Sequence, residues 1–225
     1  MLLRFAALRF AVALMLCYAA SAVPAIAEQG PLAATHYATV LRTINPHLQL
    51  HQSLAYARSL LADSERSKLD PNLILALVTV ESSWRPAALS RHGARGLGQL
   101  MPTTAARLGV NAWDPSQNLR GASAYLRSLI DRFAGRGVNA MRDAIGAYNA
   151  GPHAVEKYRG IPPYYETQHN VVKVLAQWRT LSMRVAKTFV AGAQSAAPAA
   201  DEREWLANAD ASALPATLPA AVQQP

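Results

Sequence analysis

Cysteine is almost missing from this 225-residue chain, with Cys17 the only one. That excludes a disulfide framework and a cysteine-ligated zinc site. Histidine offers no metal site in its place, because His92, His153 and His169 show no paired spacing. No metal and no other cofactor is expected. Phosphate loops, dinucleotide fingerprints and the Gly-x-Ser-x-Gly elbow are also missing. No run of five to eight alternating residues has the β-branched character of a strand. Acids are scarce, with 14 Asp and Glu against 22 Lys and Arg, a formal charge of +8. The bases are scattered and not interleaved with aromatics, which argues against nucleic acid. They suit some other polyanion, the bacterial cell wall included.

The first residues read as an export signal. Arg4 and Arg9 precede an apolar stretch, and Ala25-Ile26-Ala27 is a small-x-small cleavage pattern. Ser21 and Pro24 interrupt the stretch, which argues against a spanning anchor. Leu14-Met15-Leu16 lacks the small residue that a lipoprotein signal places beside its cysteine. Cleavage after Ala27 would deliver a cysteine-free chain of about 198 residues and charge about +6 to the periplasm. A chain of that length buries an adequate core without staples.

Helical periodicity dominates the remainder. A first helix is expected over 35–44. Leu54, Ala57, Leu60 and Leu61 then recur at helical spacing across 51–67. Asp70-Pro71 is a start signal, a capping acid before a proline suited to the first turn. The helix it opens, 71–83, is apolar on nearly every side and should be buried. A glycine-bearing loop spans 85–99. Further helices are expected from Pro102 to 108, from Asp114-Pro115 to Phe133, over 139–149, and over 166–190. The tail is rich in Ala and Pro, interrupted by Asp201-Glu-Arg-Glu-Trp205; such a composition does not order itself. The fold class is therefore mainly α. The expected divisions are a signal at 1–27, an N-terminal helical segment packing on the core at 28–64, a catalytic domain at 65–190 and a flexible tail at 191–225.

Between Asp70 and Asp114 there is one carboxylate, Glu81, at the end of the apolar run Leu73-Ile-Leu-Ala-Leu-Val-Thr-Val80. An acid there is costly unless it is paired, exposed in a cleft or kept protonated. The protonated state is what a general acid needs. Ser90, Gly93, Gly96, Gly98 and Gln99 follow in a loop whose small residues let a bulky ligand approach. Gln99 and Ser90 offer neutral hydrogen bonds to hydroxyl-rich ligands. Trp84 and the tyrosines can pack on sugar faces, although Trp84 can equally plug the core.

Four segments in order carry a resemblance. They are Glu81-Ser-Ser-Trp84, Ser90-x-x-Gly-Ala94-x-Gly-Leu97-x-Gln99-Leu-Met-Pro102, Ala147-Tyr-Asn-Ala-Gly151 and Ile161-Pro-x-x-x-Glu166-Thr167. Over roughly 65–180 the chain strongly resembles the catalytic domain of bacterial soluble lytic transglycosylases, which share a helical fold with goose-type lysozyme. The resemblance implies a lysozyme-like helical domain whose buried central helix ends at the catalytic glutamate. It implies cleavage of the N-acetylmuramic acid–N-acetylglucosamine β-1,4 bond of peptidoglycan with a 1,6-anhydro product. Glu81 would be acid and then base, and Tyr148 would hydrogen-bond its carboxyl. Ser90, Gln99 and Met101 would contact substrate, and Glu166 would be a polar, non-catalytic group in the cleft. Asn149 would fix the turn before Gly151 or touch substrate. Glycan strands are then the partner and the enzyme is expected to be a monomer. The compact layout is similar to members that open the wall for secretion or conjugation machinery, which makes such a complex a candidate partner.

Two positions depart from the family pattern. Gly98 stands where Gly-Leu-Met-Gln would place methionine, and should loosen the loop. Asn170 stands where a tyrosine is common, and should weaken a groove wall or a packing contact. Two other functions compete. A goose-type hydrolase would need a second acid to place a water, for which Glu166 and Asp143 are the options. A non-catalytic wall-binding scaffold would not need Glu81.

Overall fold

The computed structural model describes residues 30–195. The expected signal and Trp205 lie outside them. Among the described residues the chain is helical, in the order α1 Gly30–Ile44, α2 Leu50–Ser67, α3 Pro71–Ser82, α4 Pro102–Arg107, α5 Pro115–Arg132, a 3-10 turn Ala134–Asn139, α6 Ala140–Ala150, α7 Pro152–Lys157 and α8 Tyr165–Ser195. Extended pairing is confined to the isolated bridges Leu89–Arg95 and Arg95–Leu100. No helix among these residues is long and apolar enough to cross a membrane. The chain divides into two compact units near Thr188, and the site lies in the first.

Local chemistry sets the boundaries. Asp70 accepts from the Asn72 amide at 2.8 Å and Pro71 opens α3. The other Asp70 carboxylate oxygen accepts from the Trp178 indole at 2.7 Å, tying that start to α8. Asp114 caps α5 through the Gln117 amide at 2.7 Å. The short α7 was not foreseen by the periodicity, because six residues carry little of it. Pro152 starts it and the buried Val155 anchors it.

Helix α3 is the centre. Leu73 and Leu77 pack with Leu126 of α5, Ile145 of α6, and Val171 and Val174 of α8. Helix α1 packs on α2, which in turn packs on α3 and α5. The end of α3 is fixed on its far side by Trp84, which is fully buried. Its indole donates to Thr79 Oγ1 at 3.1 Å, its carbonyl accepts from Asn45 at 3.1 Å, and its ring stacks on Tyr56. Trp84 is therefore a core plug and is not available to a sugar face. Ser83 and Trp84 both take left-handed backbone angles, which stop α3 abruptly. Glu81 is left at the mouth of the core, in the last turn of the helix.

Candidate active site

Glu81 lines a cleft of about 600 Å³ together with Ser90, Gln99, Met101, Tyr148, Asn149 and Glu166. Seven residues singled out from the sequence, 85 positions apart at the extremes, thus share one cavity. Val80, His92, Ala94, Ala150, Tyr164, Thr167 and Asn170 complete its wall. A second hollow of about 330 Å³ continues past Gln99, Met101 and Tyr148 to Thr104, Tyr125 and Gly151. The two hollows adjoin, sharing Gln99, Met101, Tyr148, Asn149 and Ala150.

Burial dominates the electrostatics of Glu81. Desolvation pushes its carboxyl up to about 7, the negative charge of Glu166 adds to the rise, and a hydrogen bond from Asn170 opposes both. The protonated form of Glu81 is therefore accessible at neutral pH, where an ordinary glutamate is ionised. Asn170 Nδ2 donates to Glu81 Oε1 at 3.2 Å, while its own Oδ1 is buried without a partner.

Tyr148 was expected to make that hydrogen bond. Instead its hydroxyl donates to the carbonyl of Gly98 at 2.7 Å, and it faces Glu81 without bonding to it. Burial and the neighbouring Glu81 charge hold the phenol well above its ordinary value, so it stays a donor. Gln99 spends its amide on the loop, donating to the carbonyls of Ala88 at 3.1 Å and Gly96 at 2.9 Å. Ser90 Oγ accepts from the Ala94 amide at 3.0 Å. Both side chains therefore shape the cleft wall from within, and Met101 stands half-exposed at its edge. Asn149 accepts from Thr167 Oγ1 at 2.7 Å, which joins α6 to the start of α8. Asp143, one option for a second acid, is buried away from the cleft and paired with Arg136 at 3.0 Å. It is not available to place a water there.

Asn118, unremarked in the sequence, organises the loop. It is fully buried in the first turn of α5. Its Oδ1 accepts from the Gly98 amide at 2.7 Å, and its Nδ2 donates to the carbonyls of Arg95 and Ala112, each at 2.8 Å. Gly98 is thus gripped at both its amide and its carbonyl, the reverse of the looseness expected of it. A Cβ there would meet the Ala122 Cβ at 2.5 Å and the Tyr148 hydroxyl at 3.1 Å, so the close approach of loop and helix requires glycine. Gly98→Ala is expected to cost about 1–3 kcal/mol by overpacking. Thermal unfolding of Gly98→Ala, with Ala122→Gly added to relieve the clash, checks this; recovery in the double variant is the expected result.

The model of the Transglycosylase SLT domain matches residues 59–171, half of the chain. The chain belongs to the SLT family. The Transglycosylase of Enterobacteria phage PRD1 is 45% identical over 91 residues, 40% of this chain and 32% of the phage protein. Membrane-bound lytic murein transglycosylase F of Pseudoalteromonas translucida is 43% identical over 86 residues, 37% of this chain and 18% of its own. The 70 kDa soluble lytic transglycosylase SLT70 of Escherichia coli shares the fold at a TM-score of 0.50 and 22% identity, covering 69% of this chain and 32% of that one. The chain thus spans about a third or less of the length of each of these relatives. The SLT match ends at Val171, so it takes in the whole cleft, from Val80 to Asn170.

Proposed function

We propose that this SLT domain cleaves the β-1,4 bond between N-acetylmuramic acid and N-acetylglucosamine in peptidoglycan, by transglycosylation rather than hydrolysis. The observation that carries the reading is the Glu81 carboxyl, raised to about 7 by burial, with the charge of Glu166 in the same cleft adding to the rise. A value so close to the working pH is what a group that gives and then retakes a proton requires.

In the forward step protonated Glu81 gives its proton to the leaving glycosidic oxygen as the C1–O4 bond breaks. The resulting Glu81 carboxylate then takes the proton of the muramic acid 6-hydroxyl, whose oxygen bonds to C1. The products are a free 4-hydroxyl and a 1,6-anhydro end, and no water enters. Glu81 finishes protonated, ready for another turnover. Glycosidases ordinarily use two carboxyl groups; here one suffices, because the nucleophile belongs to the substrate. Glu166 lines the same cleft, which favours a hydrolase as the second reading, with Glu166 placing a water.

Asn170 acts on this cycle as a positioning residue. Its amide donates to the carboxylate form of Glu81, and its unpartnered Oδ1 is an acceptor for a sugar hydroxyl. Asn170→Ala should raise the Glu81 pKa further, since the hydrogen bond lost is the one that lowers it. The alkaline limb of the rate profile should move to higher pH, while kcat falls roughly tenfold or more through loss of a charge-assisted bond. The pH dependence of kcat and of kcat/KM measures both.

Wall remodelling is the wider role we assign, with an envelope secretion or conjugation complex as the candidate partner. Turbidity of isolated sacculi tests the enzyme reading. The native chain should clear them and Glu81→Gln should not. Equal clearing by both would remove Glu81 from the reaction, and no clearing by either would leave a wall-binding scaffold.

A further inference from the structure

Helix α8 bears two apolar rows, and among the described residues only one is covered. Val171, Val174, Trp178, Leu181 and Val185 recur at steps of three and four and turn inward. Tyr165, Val172, Ala176, Arg179, Met183 and Ala186 recur at steps of seven, four, three, four and three, and every one is exposed. At 3.6 residues per turn the two rows lie about 150° apart around the helix. His169 fills the one gap in the outer row, and its ring lies against Tyr165 with centres 3.9 Å apart. Tyr165, Val172 and Met183 are 76%, 66% and 54% exposed, so packing on the core does not account for their apolar character.

Charge says what would cover the outer row. Between Thr167 and Ser195 α8 has no acid, but it has Lys173, Arg179, Arg184 and Lys187. Arg184 donates to Thr43 Oγ1 at 3.1 Å. Lys173, Arg179 and Lys187 are exposed and make no hydrogen bond or ion pair among the described residues. Arg179 stands within the row. Lys173 and Lys187 directly follow Val172 and Ala186, where paired helices place their salt bridges. On the other flank, Gln168 and Val172 border a cavity of about 880 Å³ closed by parts of 136–143 and 159–161. Its Arg142 and Arg159 are exposed and equally unpaired. The row is thus basic at its middle and on both sides.

We propose that this outer row docks an acidic amphipathic helix of a second protein, with acids beside Lys173 and Lys187 and one opposite Arg179. A strict repeat of threes and fours makes a narrow stripe, the form that fits a partner helix. Ala176 and Ala186 let a partner backbone come close, whereas a lipid surface is gripped by larger side chains. A second copy of α8 laid in register would set Arg179 against Arg179, which opposes self-pairing. No residue of the row lines the cleft, so the inference stands whether or not the chain cleaves glycan.

The probe is a synthetic helix of about 24 residues, long enough to form on docking. It carries Leu at the positions facing the row, Glu on both flanks and one Glu placed to meet Arg179. Calorimetric titration into the full-length chain should show binding. A scrambled peptide of the same composition should bind at least about tenfold more weakly, because it presents charge without a seam. Val172→Ser/Met183→Ser should weaken the designed peptide at least about tenfold, and so should Lys173→Glu/Arg179→Glu/Lys187→Glu. Both variants should melt with the native chain, since every substituted side chain is exposed. No binding of the designed peptide, equal binding of the scrambled one, or binding untouched by either variant would overturn the proposal. Two further results would also overturn it, each read by its loss in Val172→Ser/Met183→Ser. Binding of the chain to phosphatidylglycerol vesicles would make the row a lipid surface. Self-association in sedimentation would make it an interface between copies.

Discussion

Glu81→Gln should lower kcat on peptidoglycan by about 10²–10⁴-fold, the usual contribution of a general acid–base group, and should make the protein more stable at alkaline pH. The two effects have one cause. Burial lifts the folded pKa from 4.5 to about 7. Between those values the folded chain keeps a proton that the unfolded chain releases, so stability falls as pH rises through the window. Above pH 7 the penalty is complete, at up to about 3 kcal/mol for a shift of this size. Glutamine carries no charge to desolvate and removes it. The gain in melting temperature should therefore be small at pH 4 and largest at pH 8. A variant that lost activity while gaining no stability at pH 8 would show that Glu81 is not held in an unfavourable ionised state.

Asn118→Ala should have the largest effect on the fold. It leaves the Gly98 amide and the Ala112 carbonyl without their partner in a buried place, while the Arg95 carbonyl keeps the Leu100 amide. Each orphaned group costs about 1–3 kcal/mol, so a loss of roughly 2–6 kcal/mol is expected, a large part of the total stability of an ordinary domain. Activity should fall even where the chain remains folded, because Tyr148 and Gln99 are held through the same loop. Denaturant unfolding measures the first effect. Sacculus clearing at a temperature where the variant is folded measures the second.

Much of the site was legible because it is written in short segments. A capping acid before a proline, an apolar run and a terminal glutamate locate α3 and its end without reference to any other residue. The glycine-bearing loop and the Ala147–Gly151 segment are local patterns of the same kind. What escaped is what depends on distant pairs. Asn170 reaches Glu81 across 89 positions, so the side chain read as a missing tyrosine proved to be the hydrogen-bond donor to the acid. Tyr148 reaches Gly98 across 50, which gave the loop glycine a grip that its conformational freedom alone argues against. Asn118 sits in an ordinary first turn, and nothing in its neighbours marks it as the anchor of a loop 20 residues earlier. The arginine cavity draws on three segments, none of which is basic enough to stand out by itself.

The central claim is that one acid suffices because the substrate supplies the nucleophile. Mass spectrometry of muropeptides released by the native chain, before and after borohydride treatment, tests it most directly. Transglycosylation predicts products one water lighter than their hydrolysed counterparts and resistant to reduction. Reducing ends throughout would mean that water attacks, with Glu166 as the group that places it, and would contradict the account.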